Sequence, residues 1–354
     1  MTDNSQPTQE KPSNFTRLQA MLFLILTLIV GAVVIVLMTW WVIGSAPRTQ
    51  AVAMDAGVTV TEYITLPDDD SYPAAIAISD NGTLYTGSYA TGVVWSISAD
   101  GVITEIPDTR DKIGSVTGLD VADDGTLYLL DRIEPLDAKG AVIWKYAAGE
   151  LSSIVEIPNN ETSGVVSPDD IAVDNAGFIY ITDRSPARVW RYSMDGTSQG
   201  VWWTPPVSTT DDKAAPTGLA YDPTENAILI TDSEQDAIYR VSASAADLDA
   251  AKNATELLYV DTQGNDYGLD GIDVSPYRGI YVAVLGWNRV ARLDGNALVM
   301  LAQEFRGASD VVYDADKDAL YVTNWNQFSL AYATQPQLPF ALDMIDLSPD
   351  NIAE

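Results

Sequence analysis

Between residue 58 and the C-terminal end one pattern returns six times, and internal repetition at this period constrains the fold before any single motif does. Each copy runs from a small or acidic residue into a short apolar strand, then an Asp- or Gly-containing turn. A second strand ending in Thr-Asp or similar and an aromatic third strand follow. The copies begin at Ala75 (AIAISDNGTLYTGS), Gly118 (GLDVADDGTLYLLD), Asp170 (DIAVDNAGFIYITD), Gly218 (GLAYDPTENAILITD), Gly271 (GIDVSPYRGIYVAVLG) and Asp310 (DVVYDADKDALYVTNW). Successive starts lie 43, 52, 48, 53 and 39 residues apart, room for one four-stranded sheet each. The fold class expected is therefore all-β, a six-bladed β-propeller.

Trp95, Trp144, Trp190 and Tyr239 stand in the third strands of the first four copies, large apolar bodies suited to packing between neighbouring blades. The first five copies also contain a fourth strand, from Ile103–Pro107 in the first to Leu298–Leu301 in the fifth. The sixth ends with its third strand, Leu342–Ile345, whereas Val60–Pro67 (VTEYITLP) resembles the fourth-strand type. The N-terminal strand is expected to complete the last blade, closing the ring and hiding two edges that would otherwise invite pairing.

Ahead of the repeats, Leu18 to Ile43 (LQAMLFLILTLIVGAVVIVLMTWWVI) carries no charge across 26 positions. A helix needs roughly 20 residues to cross about 30 Å of hydrocarbon. Trp40 and Trp41 fall at its C-terminal end, where amphipathic rings favour the headgroup layer. Lys11 and Arg17 precede the span and Arg48 follows it, which places the N-terminus inside. Gly44-Ser45-Ala46 and Ala51-Val52-Ala53 resemble cleavage sites of a removable signal peptide, but the apolar stretch exceeds the usual core of about 7 to 15 residues. The expected layout is a disordered cytoplasmic tail over 1–17, a transmembrane helix over 18–43, a linker over 44–57 and an extracytoplasmic propeller over 58–350.

Acidic residues number 50 against 19 basic ones, a formal net charge of -31. Such a field repels phosphate backbones, so nucleic acid is not an expected partner. The chain has no Cys and no His, which removes disulfides, thiol catalysis, imidazole bases and the usual zinc sites. Any chemistry would use carboxylates, hydroxyls, amides, Lys or Arg.

The copies PDDIAVDNAGFIYITDR (168–184) and PTGLAYDPTENAILITDS (216–233) resemble NHL-type repeats and the related gluconolactonase and senescence-marker superfamily of six-bladed propellers. The resemblance covers about residues 58–350 and speaks to fold, since this architecture hosts lactonases, lyases, synthases and pure binding modules. Lactonases of that group hold one divalent metal over the central channel with a Glu from the first blade and Asn and Asp from later ones. At the matching place this chain reads Tyr72-Pro73-Ala74-Ala75, with no Glu. Members that rely on His find no counterpart, and Glu304, the acidic candidate for synthase-like chemistry, falls near an outer strand.

In a propeller the loops entering first strands and those leaving second strands share one face around the channel. That face is expected to carry Thr117, Asp131 and Arg132 from the second blade, and Asp169, Asp170, Asp183 and Arg184 from the third. Thr217 and Asp232 come from the fourth blade, Asp270 and Trp287 from the fifth, and Asp310, Asn324 and Trp325 from the sixth. Converging Asp oxygens, with Asp170, Asp183 and Asp232 as the set, would suit Ca²⁺, a hard cation that takes oxygen ligands. The alternative is that the repeated Thr-Asp is a structural turn whose carboxylate accepts backbone N–H groups. The opposite face carries hairpin turns such as Asp80-Asn81-Gly82 and Asp123-Asp124-Gly125. A long insertion between Asn324 and Phe340 in the sixth blade, with Trp325, Phe328 and Tyr332, would lid the channel, dock a partner or shield the seam.

The function expected is a membrane-anchored, extracytoplasmic, non-enzymatic propeller that binds a protein partner or a small ligand. The alternative is a Ca²⁺-dependent lactone or ester hydrolase with Asp170 as base.

Overall fold

A computed structural model describes residues 14–44, 48–206 and 213–348. Most of the expected N-terminal tail and residues 349–350 of the expected domain lie outside that set. Helix Asn14–Gly44 is followed by 25 strands in six sheets, which form the six expected blades. Blade one runs from Pro73 to Glu105, blade two from Val116 to Pro158, blade three from Pro168 to Trp203 and blade four from Pro216 to Val260. Blade five runs from Leu269 to Gln303 and blade six from Val311 to Asp346. In blades one to four antiparallel neighbours follow chain order from the innermost strand outward, and blades five and six do so up to an outermost strand taken from the N-terminal side.

The alternation of side chains along each strand builds the ring, because successive residues point to opposite faces of a sheet. In Phe178–Asp183 the side chains of Ile179 and Ile181 join a cluster with blade two, while Tyr180 between them joins one with blade four. Every blade is apolar on both faces, and the core is divided into six clusters, one at each blade-to-blade seam. Trp95, Trp190 and Tyr239 lie buried in three of these seams, as their place in the third strands predicts. Trp144 is only half-buried, with its indole Nε1 3.3 Å from the Asp131 carboxylate.

The ring closes with the N-terminal strand. Thr59–Thr65 pairs antiparallel with Ala341–Asp346, placing Val60 opposite Ile345 and Thr65 opposite Ala341. A bulge between Glu62 and Ile64 lets Tyr63 meet Tyr321 edge to face at 4.6 Å.

The stretch before this strand is more than a connector. Val52–Ala53 adds a fifth strand to blade five, opposite Ala302 and Gln303, and the amides of Met54 and Asp55 both donate to the Leu301 carbonyl. Arg48 donates to the Pro339 carbonyl, at 3.1 Å from Nε and 2.8 Å from Nη2, and the Thr49 amide donates to Gln337 Oε1 at 2.7 Å. Residues 48–55 thus bind the rim of blades five and six, where a linker was expected.

The N-terminal helix is long and apolar enough to cross a membrane, and its apolar window within Thr16–Trp41 is not buried inside the structure.

Candidate functional site: the axial channel

Six first strands line the axis, and their sequences differ at two alternating positions. The first position holds Ala75, Gly118, Asp170, Gly218, Gly271 and Asp310; two residues on stand Ala77, Asp120, Ala172, Ala220, Asp273 and Val312. Opposite blades match. Blades three and six carry Asp at the first position, blades two and five carry Gly there and Asp at the second, and blades one and four carry only Gly or Ala.

Each of the four axial carboxylates bridges two amides. Asp120 accepts from Val121 at 2.8 Å and from Val173 of the next blade at 2.7 Å. Asp170 does the same with Ile171 and Leu219, Asp273 with Val274 and Tyr313, and Asp310 with Val311 and Ile76. A first strand has no sheet partner on its axial edge, so its N–H groups need acceptors of this kind. The Asp residues therefore stitch blade two to three, three to four, five to six, and six to one.

Glycine permits this proximity. A Cβ on Gly118 would stand 2.6 Å from Asp170 Oδ1, and one on Gly271 2.2 Å from Asp310 Oδ1.

Burial pushes all four carboxyls up, to about 7 for Asp120 and about 6 for Asp273, against the pull of their amide donors. Asp170 and Asp310 are raised well above the usual range, first by burial, and Asp170 next by the charge of Asp310. At the loop end of the channel Asp169 and Asp270 are raised for the same first reason, while Arg184, 3.8 Å from Asp169, opposes it.

The site residues expected from the sequence separate into three groups. Thr117, Asp169, Asp170, Asp270, Asp310 and Trp325 do line the loop-side mouth, but the space among them is only about 20 Å³. Tyr89 and Trp325 pack across it with ring centroids 4.7 Å apart, and Arg132 lies over the Tyr89 ring.

Asp131, Asp183, Asp232 and Asn324 form the second group, which holds the loop entering its own blade. Asp183 accepts from the Val166 and Ser167 amides at 3.1 and 2.8 Å and pairs with buried Arg188. Asp131 accepts from Ser115 and Ile133, Asp232 from Ala215, Glu234 and Gln235, and Asn324 from Arg306. Thr217 is a seam residue too, donating to the Leu269 carbonyl of the next blade at 2.9 Å.

Trp287 stands apart, against Tyr267 and beside a recess on blades five and six. The expected calcium set does not come together. Asp170 bridges amides at the axis while Asp183 and Asp232 hold separate loops, and among the described residues no group of three or more acidic side chains is placed to share an ion.

The larger opening is on the face assigned only turn chemistry. There the channel widens into a funnel of about 550 Å³, floored by the four axial carboxylates and rimmed by Asp123, Asp124, Asp174, Met194, Tyr221 and Tyr313. Its lining holds seven Asp and no Lys or Arg. Asp120 and Asp273 are the candidate-site residues that reading the sequence missed. Their signal was an Asp two places after a Gly, inside an otherwise apolar strand, in copies two and five.

No protein-family model matches the sequence, and no curated protein matches it. Solved structures do match in fold. A gluconolactonase from Xanthomonas campestris superposes with a TM-score of 0.58 at 16% identity, covering 86% of this chain and 96% of its own. Virginiamycin B lyase from Staphylococcus aureus gives 0.52 at 18% identity, covering 76% and 83%. A chain of the nidogen/laminin complex gives 0.53 at 16% identity, covering 72% and 94%. The chain is thus a six-bladed β-propeller, preceded by one apolar helix, that shares its fold with lactonase, lyase and protein-assembly propellers.

Proposed function

We propose that this chain is a membrane-anchored binding propeller, with its ring on the extracytoplasmic side, that takes a cationic group of a small ligand or a protein partner into the acidic funnel. The shared fold does not choose between enzyme and binding module, because a propeller hosts both. The funnel carries the reading. Its volume of about 550 Å³ falls in the range of ligand sites, whereas the loop-side mouth, at about 20 Å³, does not. Seven Asp and no basic residue line it; burial favours the neutral form of the four on the floor, so the rim carboxylates Asp123, Asp124 and Asp174 carry most of the field that concentrates cations. Asp170, the base that a hydrolase would need, has both oxygens engaged by amides, at 2.8 Å each, and a general base must reach the proton it takes. Lys11 and Arg17, ahead of the uncharged stretch that begins at Leu18, support the orientation.

Calorimetric titration of the full chain in detergent, with spermidine and with pentalysine, tests this against an uncharged polyol of similar length. Binding of either cation that weakens with salt, and that Asp123→Asn with Asp124→Asn reduces several-fold, is the expected result. Absence of cation binding would overturn the reading. Lactone hydrolysis abolished by EDTA would replace it with the metal-dependent hydrolase.

A further inference from the structure

We propose that the sixth-blade loop, through Phe328, Tyr332 and Leu338, rests in the headgroup layer of the bilayer that holds the N-terminal helix. The inference rests on the membrane reading above and adds a second, non-covalent contact to it.

The length of the tether carries the argument. The helix ends at Gly44, and Arg48 is already bonded to the Pro339 carbonyl. Thr49 is held from both sides, its amide on Gln337 Oε1 and its carbonyl on Arg306 Nη1 at 2.8 Å. Four residues of fully extended chain span at most about 14 Å. Whatever the tilt of the ring, the loop that binds Arg48 therefore stays within that reach, plus one side chain, of the helix end. Trp40 and Trp41 occupy that end, the position at which aromatic rings collect in the headgroup layer.

The chemistry of the loop suits such a neighbour. From Ala319 to Leu342 the chain carries no charged residue, although its net charge is -31. Helix Gln327–Ala331 presents Phe328, 56% exposed, against Tyr332, 66% exposed, with ring centroids 4.5 Å apart. Leu338 is exposed on the same loop, one residue before the Pro339 that Arg48 holds. Asn326, Gln327, Thr334, Gln335 and Gln337 add polar, uncharged side chains to the loop, and Arg289, Glu304 and Arg306 line the recess beside it. Tyr332, a ring with one apolar and one polar end, favours an interface of this kind, and Phe328 and Leu338 add apolar surface beside it. A lipid surface is favoured over a diffusing protein because the tether keeps the bilayer at high effective concentration. The acidic funnel lies on the opposite face of the ring and would point away from the lipid.

Because the chain has no Cys, single-cysteine variants can carry one environment-sensitive fluorophore each. Phe328→Cys and Tyr332→Cys report on the loop and Val34→Cys on the helix. Tyr277→Cys, at an 87% exposed position in a turn of the opposite face, is the control. The full chain is reconstituted in phosphatidylcholine vesicles that contain lipid spin-labelled at the headgroup or at mid-chain. The 328 and 332 labels should be quenched by the headgroup probe at least two-fold more than the 277 label, and the 34 label by the mid-chain probe. Loop labels that read like 277 while 34 is quenched would overturn the contact and leave the anchor standing. Loop labels shielded from aqueous iodide but not quenched by lipid would overturn it in favour of a protein neighbour. An unquenched label at 34 would overturn the membrane reading itself.

Discussion

Asp310 of the last blade and Ile76 of the first are joined at 2.8 Å, the carboxylate Oδ2 accepting the amide on the axial edge of strand Pro73–Ile78. The ring is therefore closed twice, by strand pairing at the rim and by a side chain at the axis. Asp310→Ala would leave the buried Ile76 and Val311 amides without acceptors. The expected loss is about 2–4 kcal/mol, from roughly 1–3 for each unsatisfied group with partial relaxation. Urea denaturation of the variant against the parent measures it, and a midpoint shift no larger than that of a surface Asp→Ala would contradict the axial role.

The rim closure predicts a harsher outcome. Without residues 58–67 the blade formed by Val311–Asp346 loses its outer strand and leaves the edge of Ala341–Asp346 open. The truncated chain should aggregate or melt far below the parent. Unchanged melting by circular dichroism would show that the pairing of Thr59–Thr65 is dispensable.

Gly271→Ala would place a methyl group 2.2 Å from Asp310 Oδ1 and 2.6 Å from its Cα. Overpacking of this kind costs about 1–3 kcal/mol. The cost should shrink in the background of Asp310→Ala, because the crowded carboxylate is then gone, and a double-mutant cycle on thermal unfolding would read the coupling.

The raised carboxyls set a pH dependence of definite sign. In the unfolded chain an Asp ionises near pH 4, whereas burial holds folded Asp120 up to about 7 and folded Asp273 up to about 6. Between those limits the folded ring binds more protons than the unfolded chain, so stability falls as pH rises. The melting temperature should decline from about pH 4.5 to 7.5, and Asp120→Asn should flatten the upper part of that decline. Repulsion among exposed acidic groups acts in the same direction but is screened by salt. The decline that survives in about 0.5 M NaCl is the part owed to the buried carboxyls, the axial four among them, and the share that Asp120→Asn removes from it belongs to Asp120; none surviving would contradict their buried titration.

The repeat period, the alternating strands and the misplaced fourth strand determine the six blades and their circular closure by themselves. Trp190 and Tyr239 were legible as seam residues because a large side chain in a third strand has only a neighbouring blade to pack against. The Thr-Asp motif was legible as a turn brace, and Asp183 with its two loop amides shows why a carboxylate recurs there. Tertiary structure alone decided the site. Whether Asp120 and Asp273 face solvent, a seam or the axis depends on which edge of a first strand is left unpaired, a property of the closed ring and not of any local segment. The same holds for the loop-side mouth, where Tyr89 and Trp325, 236 positions apart in the numbering, meet only because the first and last blades are neighbours. Sequence period thus dictates how many blades form, and ring closure dictates which of the two channel ends stays open.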